Sequence, residues 1–227
     1  MNKKYILVGS GGHSRVIYEL ACKCNIDISF ISVNDDCKKI PDYYSKLKVL
    51  TDNEVFSNYS PDDTNILLGI GYLPNNTARK DTYLKYKERG YKFPALVHPS
   101  VVIPKNINLH EGCQIMSGVI LQPGVTIGEN TIINTSSSID HDVMVGAHSH
   151  VAPGVTICGN VTILDYVFRE LAISYLNKEE LAHFNPDQKI STSENNRSKI
   201  EELKASVSND SIARYASTGY VRSNFYV

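Results

Sequence analysis

A strict six-residue repeat constrains the fold of this chain more than any other feature. Every sixth residue from position 97 to position 163 is aliphatic, and the residue four places further on is always small or β-branched. Two inward-facing positions in every six residues suit a short strand followed by a turn, because successive side chains of a strand alternate between its faces. The repeat therefore predicts a parallel β-helix over residues 97–168.

The segment before the repeat has a different pattern. Apolar runs at residues 5–9, 28–33 and 64–71 alternate with stretches of helical character, which is typical of a parallel sheet with crossover helices. We expect residues 1–96 to form a separate Rossmann-like α/β domain. After the repeat, residues 169–227 predict a divergent helical or irregular tail, and we expect the 168–184 segment to be a helix packed on the end of the coil.

Composition argues against several classes of protein. The 23 Lys and Arg residues nearly balance the 24 Asp and Glu residues and form no basic stripe, so we expect no nucleic-acid binding. The apolar run near the N-terminus covers only Tyr5 to Val8, which is too short for a signal sequence or a membrane span. Five cysteines without a CxxC pair predict a cytoplasmic protein with reduced thiols.

A glycine-rich segment, "VGSGGHSRV", follows the first predicted strand and opens the first helix. Backbone amides of Gly9, Gly11 and Gly12 at a helix N-terminus are suited to phosphate oxygens. A dinucleotide site is the weaker interpretation, because Ser14 replaces the third glycine of the G-x-G-x-x-G pattern. A tight turn without a ligand stays open on glycine spacing alone.

The hexads resemble those of the hexapeptide-repeat acyltransferases, which implies a left-handed coil with three hexads per turn. Residues eighteen apart then stack, so His141 lies next to Gly159. The other histidines of "SSSIDHDVMVGAHSH", His148 and His150, do not share this column, and their spacing matches no metal-ligand pattern. We therefore expect no metal site, although a zinc site shared between subunits, as in the β-helical carbonic anhydrases, stays an alternative.

His141 is the candidate general base. Its position in the hexad places it in a turn and outside the core, where an imidazole with a near-neutral pKa can accept a proton. Asp142 is placed to orient the ring and to favour its charged form. The alternative is a histidine in a solvated corner with no function.

Several segments together resemble one family. They are "VGSGGHSRV", "SVNDD", "LLGIGYLPNNTARK", "FPALVHPSVVIP" and "IINTSSSIDHDVMVGAHSHVAPGVTICGNVTI". They look like the hexapeptide-repeat sugar acetyltransferases, in particular the sialic-acid O-acetyltransferases and the N-acetyltransferases of UDP-4-amino-sugars. The resemblance covers residues 1 to about 164. It implies a homotrimer that moves an acetyl group from acetyl-CoA to an amino group of a nucleotide-activated sugar.

The resemblance also implies roles for individual residues. His141 matches the general base, Asp142 the acid that tunes it, and Gly159 the glycine whose amide binds the thioester oxygen. His150, like Gly159, matches a position that contacts the coenzyme. The positions that match those holding the nucleotide sugar are Gly11, Gly12, His13, Asp35, Asp36 and Gly71.

One departure from the family affects the donor site. Family members continue the coil for several turns that carry much of the coenzyme groove, whereas the repeat here stops near Leu164. We therefore expect acetyl-CoA to bind weakly or not at all while nucleotide-sugar binding is retained. A nucleotide-sugar-binding or scaffold protein without catalysis is an alternative function, and O-acetylation is an alternative reaction.

Overall fold

A computed structural model describes residues 3–34, 41–72 and 76–165, together with the backbone of residues 168–169. All of them lie in one compact unit. Its N-terminal elements are β1 (Lys4–Val8), α1 (Gly12–Lys23), β2 (Phe30–Val33), a 3-10 helix (Asp42–Tyr44), β3 (Lys48–Thr51), α2 (Asp52–Asn58), β4 (Thr64–Leu68) and α3 (Ala78–Lys87). The predicted alternation of strands and helices is confirmed.

The four strands form one parallel sheet in the order β3-β2-β1-β4. Leu7 of β1 packs with Ile17 of α1 on one face, and its neighbours Ile6 and Val8 pack with Tyr83 of α3 on the other, because side chains alternate along a strand. The strand order reverses between β1 and β4. The carboxyl ends of these two strands therefore form the crevice where open α/β sheets bind ligands.

Twelve two-residue strands build the β-helix. They are β5 (Leu96–Val97), β6 (Asn108–Leu109), β7 (Gln114–Ile115), β8 (Ile120–Leu121), β9 (Thr126–Ile127), β10 (Ile132–Ile133), β11 (Ser138–Ile139), β12 (Met144–Val145), β13 (His150–Val151), β14 (Thr156–Ile157), β15 (Thr162–Ile163) and β16 (Phe168–Arg169). They form three parallel sheets: coil sheet 1 (β5, β7, β10, β13, β16), coil sheet 2 (β8, β11, β14) and coil sheet 3 (β6, β9, β12, β15). Paired residues in each sheet are eighteen residues apart, as in Ile115, Ile133 and Val151. The prediction of three hexads per turn of the coil is therefore confirmed.

The second residue of each strand from β7 to β15 is buried in one continuous aliphatic core. Ile103 is an exception to the inward pattern, with 40% of its surface exposed, because it lies in the first coil. The corners repeat as regularly as the strands: every sixth residue from Gly112 to Asn160 has a positive φ. Asp142 occupies one of these left-handed positions, which Gly, Asn and Asp adopt more readily than other residues.

Coil sheet 1 packs against the N-terminal domain. Leu96, Met116 and Ile132 are buried in the same core as Leu7 and Ile17. The other two coil sheets meet at the corner between β11 and β12, which carries His141. This corner is opposite coil sheet 1, so His141 lies on the side of the coil that faces away from the N-terminal domain.

The coil continues beyond the point where the sequence repeat stops. The prediction of a helix from residue 168 is wrong for its first two residues, because Phe168–Arg169 is a strand paired in register with His150–Val151. The backbone N–H and C=O groups of the preceding turn of the coil can still form hydrogen bonds with the chain after the aliphatic repeat has ended. The remainder of the predicted tail lies outside the described residues.

Ile139 provides a test of the coil core, since it is fully buried. Truncation to alanine removes apolar contacts and leaves a cavity, so Ile139→Ala should lower the free energy of unfolding by about 2 to 5 kcal/mol. Urea denaturation measures the change. Ile103→Ala is the matched control and should cost less than about 1 kcal/mol; equal losses at both positions would contradict the assigned core.

Candidate functional site

A cavity of about 520 Å³ lies at the crevice between β1 and β4. Its wall has three parts: the glycine loop after β1, the loop after β4, and the outward face of coil sheet 1. The lining residues are Gly9, Ser10, Gly11, Gly12, His13, Gly69, Ile70, Gly71, Tyr72, Asn76, Ala78, Ile132, Asn134 and His150. No carboxylate belongs to this set of described residues.

The glycines of the first loop serve two different purposes. Gly9 has a φ of +101°, a conformation that favours glycine. It also lies against Gly69 and Ile70, which leave little room for a side chain. A Cβ at Gly11 or Gly12 would meet no atom within 4 Å. Gly11 is the N-cap of α1 and no side chain caps the helix. The space beside these two glycines at the helix N-terminus is therefore open, which suits an anionic group.

His13 is held by a chain of hydrogen bonds that reaches the coil. Gln114 donates its amide to the carbonyl of Leu68 at 2.8 Å, and the Gln114 oxygen accepts from His13 Nε2 at 2.8 Å. This arrangement places the proton on Nε2 and leaves Nδ1 as an acceptor. Burial and then the charge of Arg79 lower the pKa of His13 to about 4, so the ring is neutral at physiological pH.

His150 lines the same cavity from coil sheet 1. Asn134 Oδ1 accepts the N–H of Thr135 at 2.8 Å, so its amide nitrogen faces His150 Nε2 at 3.2 Å and donates to it. The His150 proton is therefore on Nδ1. The ring lies 6.0 Å from that of Tyr72, and burial, followed by Arg79, lowers its pKa to about 4. His150 thus presents a neutral imidazole.

A second group of predicted residues lies on the corner between coil sheets 2 and 3. Asp142 Oδ2 lies 3.0 Å from His141 Nδ1, and the His141 imidazole stacks on Gly159. A Cβ at Gly159 would lie 2.5 Å from His141 Nε2, so only glycine leaves room for the ring. The side chains of His141 and Asp142 are 60% and 67% exposed.

The electrostatics of His141 suit a general base. A carboxylate only accepts hydrogen bonds, so the bond to Asp142 places the imidazole proton on Nδ1 and leaves the lone pair of Nε2 free. The hydrogen bond with Asp142, and then the charge of Asp140, raise the pKa of His141 above its ordinary value. The arrangement can accept a proton from a nucleophile beside Gly159.

The predicted site residues fall into two groups within one chain. Gly11, Gly12, His13 and Gly71 meet at the cavity together with His150, whereas the His141 corner faces away from it. Asp35 and Asp36 lie outside the described residues. Sequence reasoning missed Gln114 and Asn134. A polar residue at an outward position of coil sheet 1 was the available signal for Gln114.

His148 has a different environment from the other two histidines of its segment. It is only 4% exposed, its Nδ1 lies 2.9 Å from the Asn130 amide, and its ring packs edge-on against Tyr83. Its replacement would therefore perturb packing between the coil and α3. In residues 3–34, 41–72 and 76–165, no group of three or more His, Cys, Asp or Glu side chains is arranged to hold a metal ion.

Two family models match the chain. The model of the PglD N-terminal domain matches residues 4–86, and the model of the bacterial transferase hexapeptide (six repeats) matches residues 106–141. A curated relative, the acyl-[acyl-carrier-protein]–UDP-N-acetylglucosamine O-acyltransferase of Campylobacter concisus, is 35% identical over 98 residues, or 43% of this chain. The matched region is 32% of that relative, so the chain spans about a third of its length.

Solved structures share the fold. The acetyltransferase domain of PglB from Neisseria gonorrhoeae has a TM-score of 0.64 at 22% identity, over 79% of this chain and 95% of that chain. The same domain in complex with acetyl coenzyme A has a TM-score of 0.60 at 21% identity, over 78% of this chain and 93% of that chain. PerB from Caulobacter crescentus in complex with CoA and GDP-perosamine has a TM-score of 0.55 at 22% identity, over 77% of this chain and 89% of that chain.

These findings define a protein in which an α/β domain with a cavity at its sheet crevice precedes a left-handed hexapeptide β-helix. Residues 4–86 are similar to the PglD N-terminal domain and residues 106–141 to transferase hexapeptide repeats. The predicted resemblance to hexapeptide-repeat transferases is thereby confirmed. Within the described residues, no helix has the length and apolar character needed to cross a membrane.

Gly159→Ala tests the His141 geometry directly. The added Cβ would clash with the imidazole, and the exposed ring should swing away from Asp142. The pKa of His141 should then fall toward its ordinary value, because its hydrogen bond with the carboxylate is lost. An NMR pH titration of the His141 ring protons measures the shift. Cys158→Ala is the control, and an unchanged pKa in Gly159→Ala would refute the contact.

Proposed function

We propose that this protein transfers an acetyl group from acetyl-CoA to an amino group of a nucleotide-activated sugar. The observation that carries the proposal is the His141 imidazole, oriented by Asp142 and stacked on Gly159. The cavity of the PglD N-terminal domain supplies a place for the acceptor. Structures of similar fold that hold acetyl coenzyme A, or CoA with GDP-perosamine, support this choice of donor and acceptor.

In the proposed reaction His141 is the general base. The sugar amine attacks the thioester carbonyl carbon, a C–N bond forms, and Nε2 of His141 takes a proton from the nitrogen. The carbonyl oxygen becomes an oxyanion, for which we propose the Gly159 N–H as donor. Collapse of the intermediate breaks the C–S bond, and the CoA thiolate takes the proton from the imidazolium. Asp142 stabilises that imidazolium.

The acceptor is proposed to bind through its phosphates at the N-terminus of α1. The open space beside Gly11 and Gly12 admits phosphate oxygens to the free amides, and no described lining residue is a carboxylate that would repel them. His13 and Gly71 complete this wall. A contact of Asp35 and Asp36 with the ribose stays a prediction from the resemblance.

The separation of the two groups of residues supports the homotrimer that the resemblance implies. The acceptor cavity lies against coil sheet 1, whereas His141 lies on the opposite corner of the same coil. An acceptor bound in the cavity of one chain can therefore react at a His141 only if a neighbouring chain presents its corner there. In that arrangement His150 lies beside the reacting groups, as its proposed contact with the coenzyme requires.

Thiol release from acetyl-CoA tests the proposed reaction across UDP- and GDP-linked amino-sugars, with the matching hydroxy-sugars as controls. At least one amino-sugar should stimulate release, and mass spectrometry should show one added acetyl group on nitrogen. Because the sequence predicts weak donor binding, acetyl-CoA is used at millimolar concentration and its affinity is measured by calorimetry. Binding of acceptor without thiol release would favour a scaffold, and stoichiometric zinc would favour a hydrolyase.

His141→Ala should lower kcat by about 10²- to 10⁴-fold, with acceptor affinity nearly unchanged because the acceptor is proposed to bind through its phosphates at the N-terminus of α1. Asp142→Asn should shift the acidic limb of the rate profile to lower pH, since removing the carboxylate lowers the pKa of His141. His110→Ala is the matched control, because His110 is also exposed on the coil. Equal losses in His141→Ala and His110→Ala would contradict the assignment of the base.

Complementation between two inactive variants tests the shared site. Gly11→Leu should fill the cavity and abolish acceptor binding, since its side chain has open space to enter. Co-expressed with His141→Ala, it should restore about a quarter of wild-type activity when subunits mix at random, because one interface in four combines an intact cavity with an intact His141. No recovery in mixed trimers, or a monomer in light scattering with ligand present, would refute the arrangement.

A further inference from the structure

Arg79 is a fully buried cation behind the acceptor cavity. It is 2% exposed, and within the described residues all its hydrogen bonds go to backbone carbonyls. Nη1 donates to Ile70 at 2.6 Å and to Leu68 at 3.5 Å, and Nε donates to Asn130 at 3.3 Å. Nη2 has no hydrogen-bond partner among the described residues. Arg79 thus joins α3 and the loop after β4 to the coil.

Within the part of the chain that the structure describes, no carboxylate neutralises the charge of Arg79. No Asp or Glu of the described residues forms an ion pair with it. Burial lowers its pKa to about 9, so it stays charged at neutral pH. A buried charge without a counter-charge is costly to folding. A methionine of similar volume would pack without that cost, which indicates a use for the charge.

Arg79 also orients the loop that lines the cavity. The carbonyls of Leu68 and Ile70 turn toward the guanidinium. Since a planar trans peptide directs its N–H opposite to its C=O, the amide of Gly71 points away from Arg79, and Gly71 lines the cavity. The loop therefore directs carbonyl dipoles away from the ligand, as an anion site requires.

The positive field of Arg79 reaches the cavity wall. His13 and His150 line the cavity from opposite elements, and the charge of Arg79 helps to lower the pKa of both rings. Because both rings are neutral at physiological pH, Arg79 supplies the positive charge near the cavity. A ligand carrying negative charge would be attracted by the same field, undiminished by any carboxylate of the described lining.

We infer that Arg79 is a positioning residue that selects the diphosphate of the acceptor without touching it. Its buried charge attracts the phosphates to the α1 amides, and its hydrogen bonds hold the Leu68–Gly71 loop open to them. The inference rests on the proposed function, since it takes the ligand to be a nucleoside diphosphate derivative.

The test is the ratio of dissociation constants for a nucleoside and its diphosphate. Uridine with UDP, and guanosine with GDP, are titrated by NMR chemical shift into the full chain. Arg79→Gln and Arg79→Met should reduce the preference for the diphosphate by about tenfold, or ~1.4 kcal/mol, while nucleoside affinity changes little. Arg79→Lys keeps the charge and should keep the preference within about threefold. Arg89→Gln, at an exposed site just after the end of α3, is the control for net charge.

The outcomes separate this inference from the proposed function. A folded Arg79→Gln protein with an unchanged ratio, or with equal losses for nucleoside and diphosphate, would show a purely structural role. If the neutral variants do not fold, loss of the preference in folded Arg79→Lys overturns the inference. Wild-type protein that binds neither UDP nor GDP would instead contradict the proposed acceptor.

Discussion

Hydrogen bonds between stacked coils hold the proposed catalytic residues in place. The N–H of Asn160 bonds to the carbonyl of His141 at 2.8 Å, and the N–H of Asp142 bonds to that of Pro123 at 3.0 Å. These bonds fix residues eighteen apart in one column, so the ring of His141 always meets residue 159. Slippage would break the ladder along the whole coil and move the aliphatic side chains out of the core. The scaffold therefore fixes the backbone of His141 beside that of Gly159.

The histidines of the chain show how the same side chain acquires opposite protonation behaviour. His141 is exposed and has carboxylates beside it, which raise its pKa. His13 and His150 are enclosed, and burial, followed by the charge of the nearby Arg79 guanidinium, lowers their pKa values. A base must exchange protons near neutral pH, whereas the wall of an anion cavity works best with rings of constant charge and fixed tautomer. The two environments match these two tasks.

The sequence predicted what depends on local pattern and missed what depends on contacts between domains. The hexad repeat was sufficient to stack His141 on Gly159, because the coil has a constant eighteen-residue period. It could not show that His150 faces the N-terminal domain, since this depends on which coil sheet packs against α1. The role of Gln114 was hidden for the same reason: its partners His13 and Leu68 lie far away in sequence. The strand at 168–169 was missed because backbone pairing outlasts the aliphatic repeat.

Each hexad separates stability from function by the direction of its side chains. Inward residues such as Val151 form the core of the coil. The residue before Val151, His150, points outward and lies in one column of coil sheet 1 with Gln114 and Ile132. These three side chains contact the N-terminal domain or the cavity. Corner residues carry the proposed base. Substitutions at Gln114 or His150 would reshape the proposed acceptor cavity without removing a contact of the coil's aliphatic core, since the coil is held by inward side chains and backbone bonds. Acceptor specificity in such a scaffold can therefore change while the His141 corner stays in register.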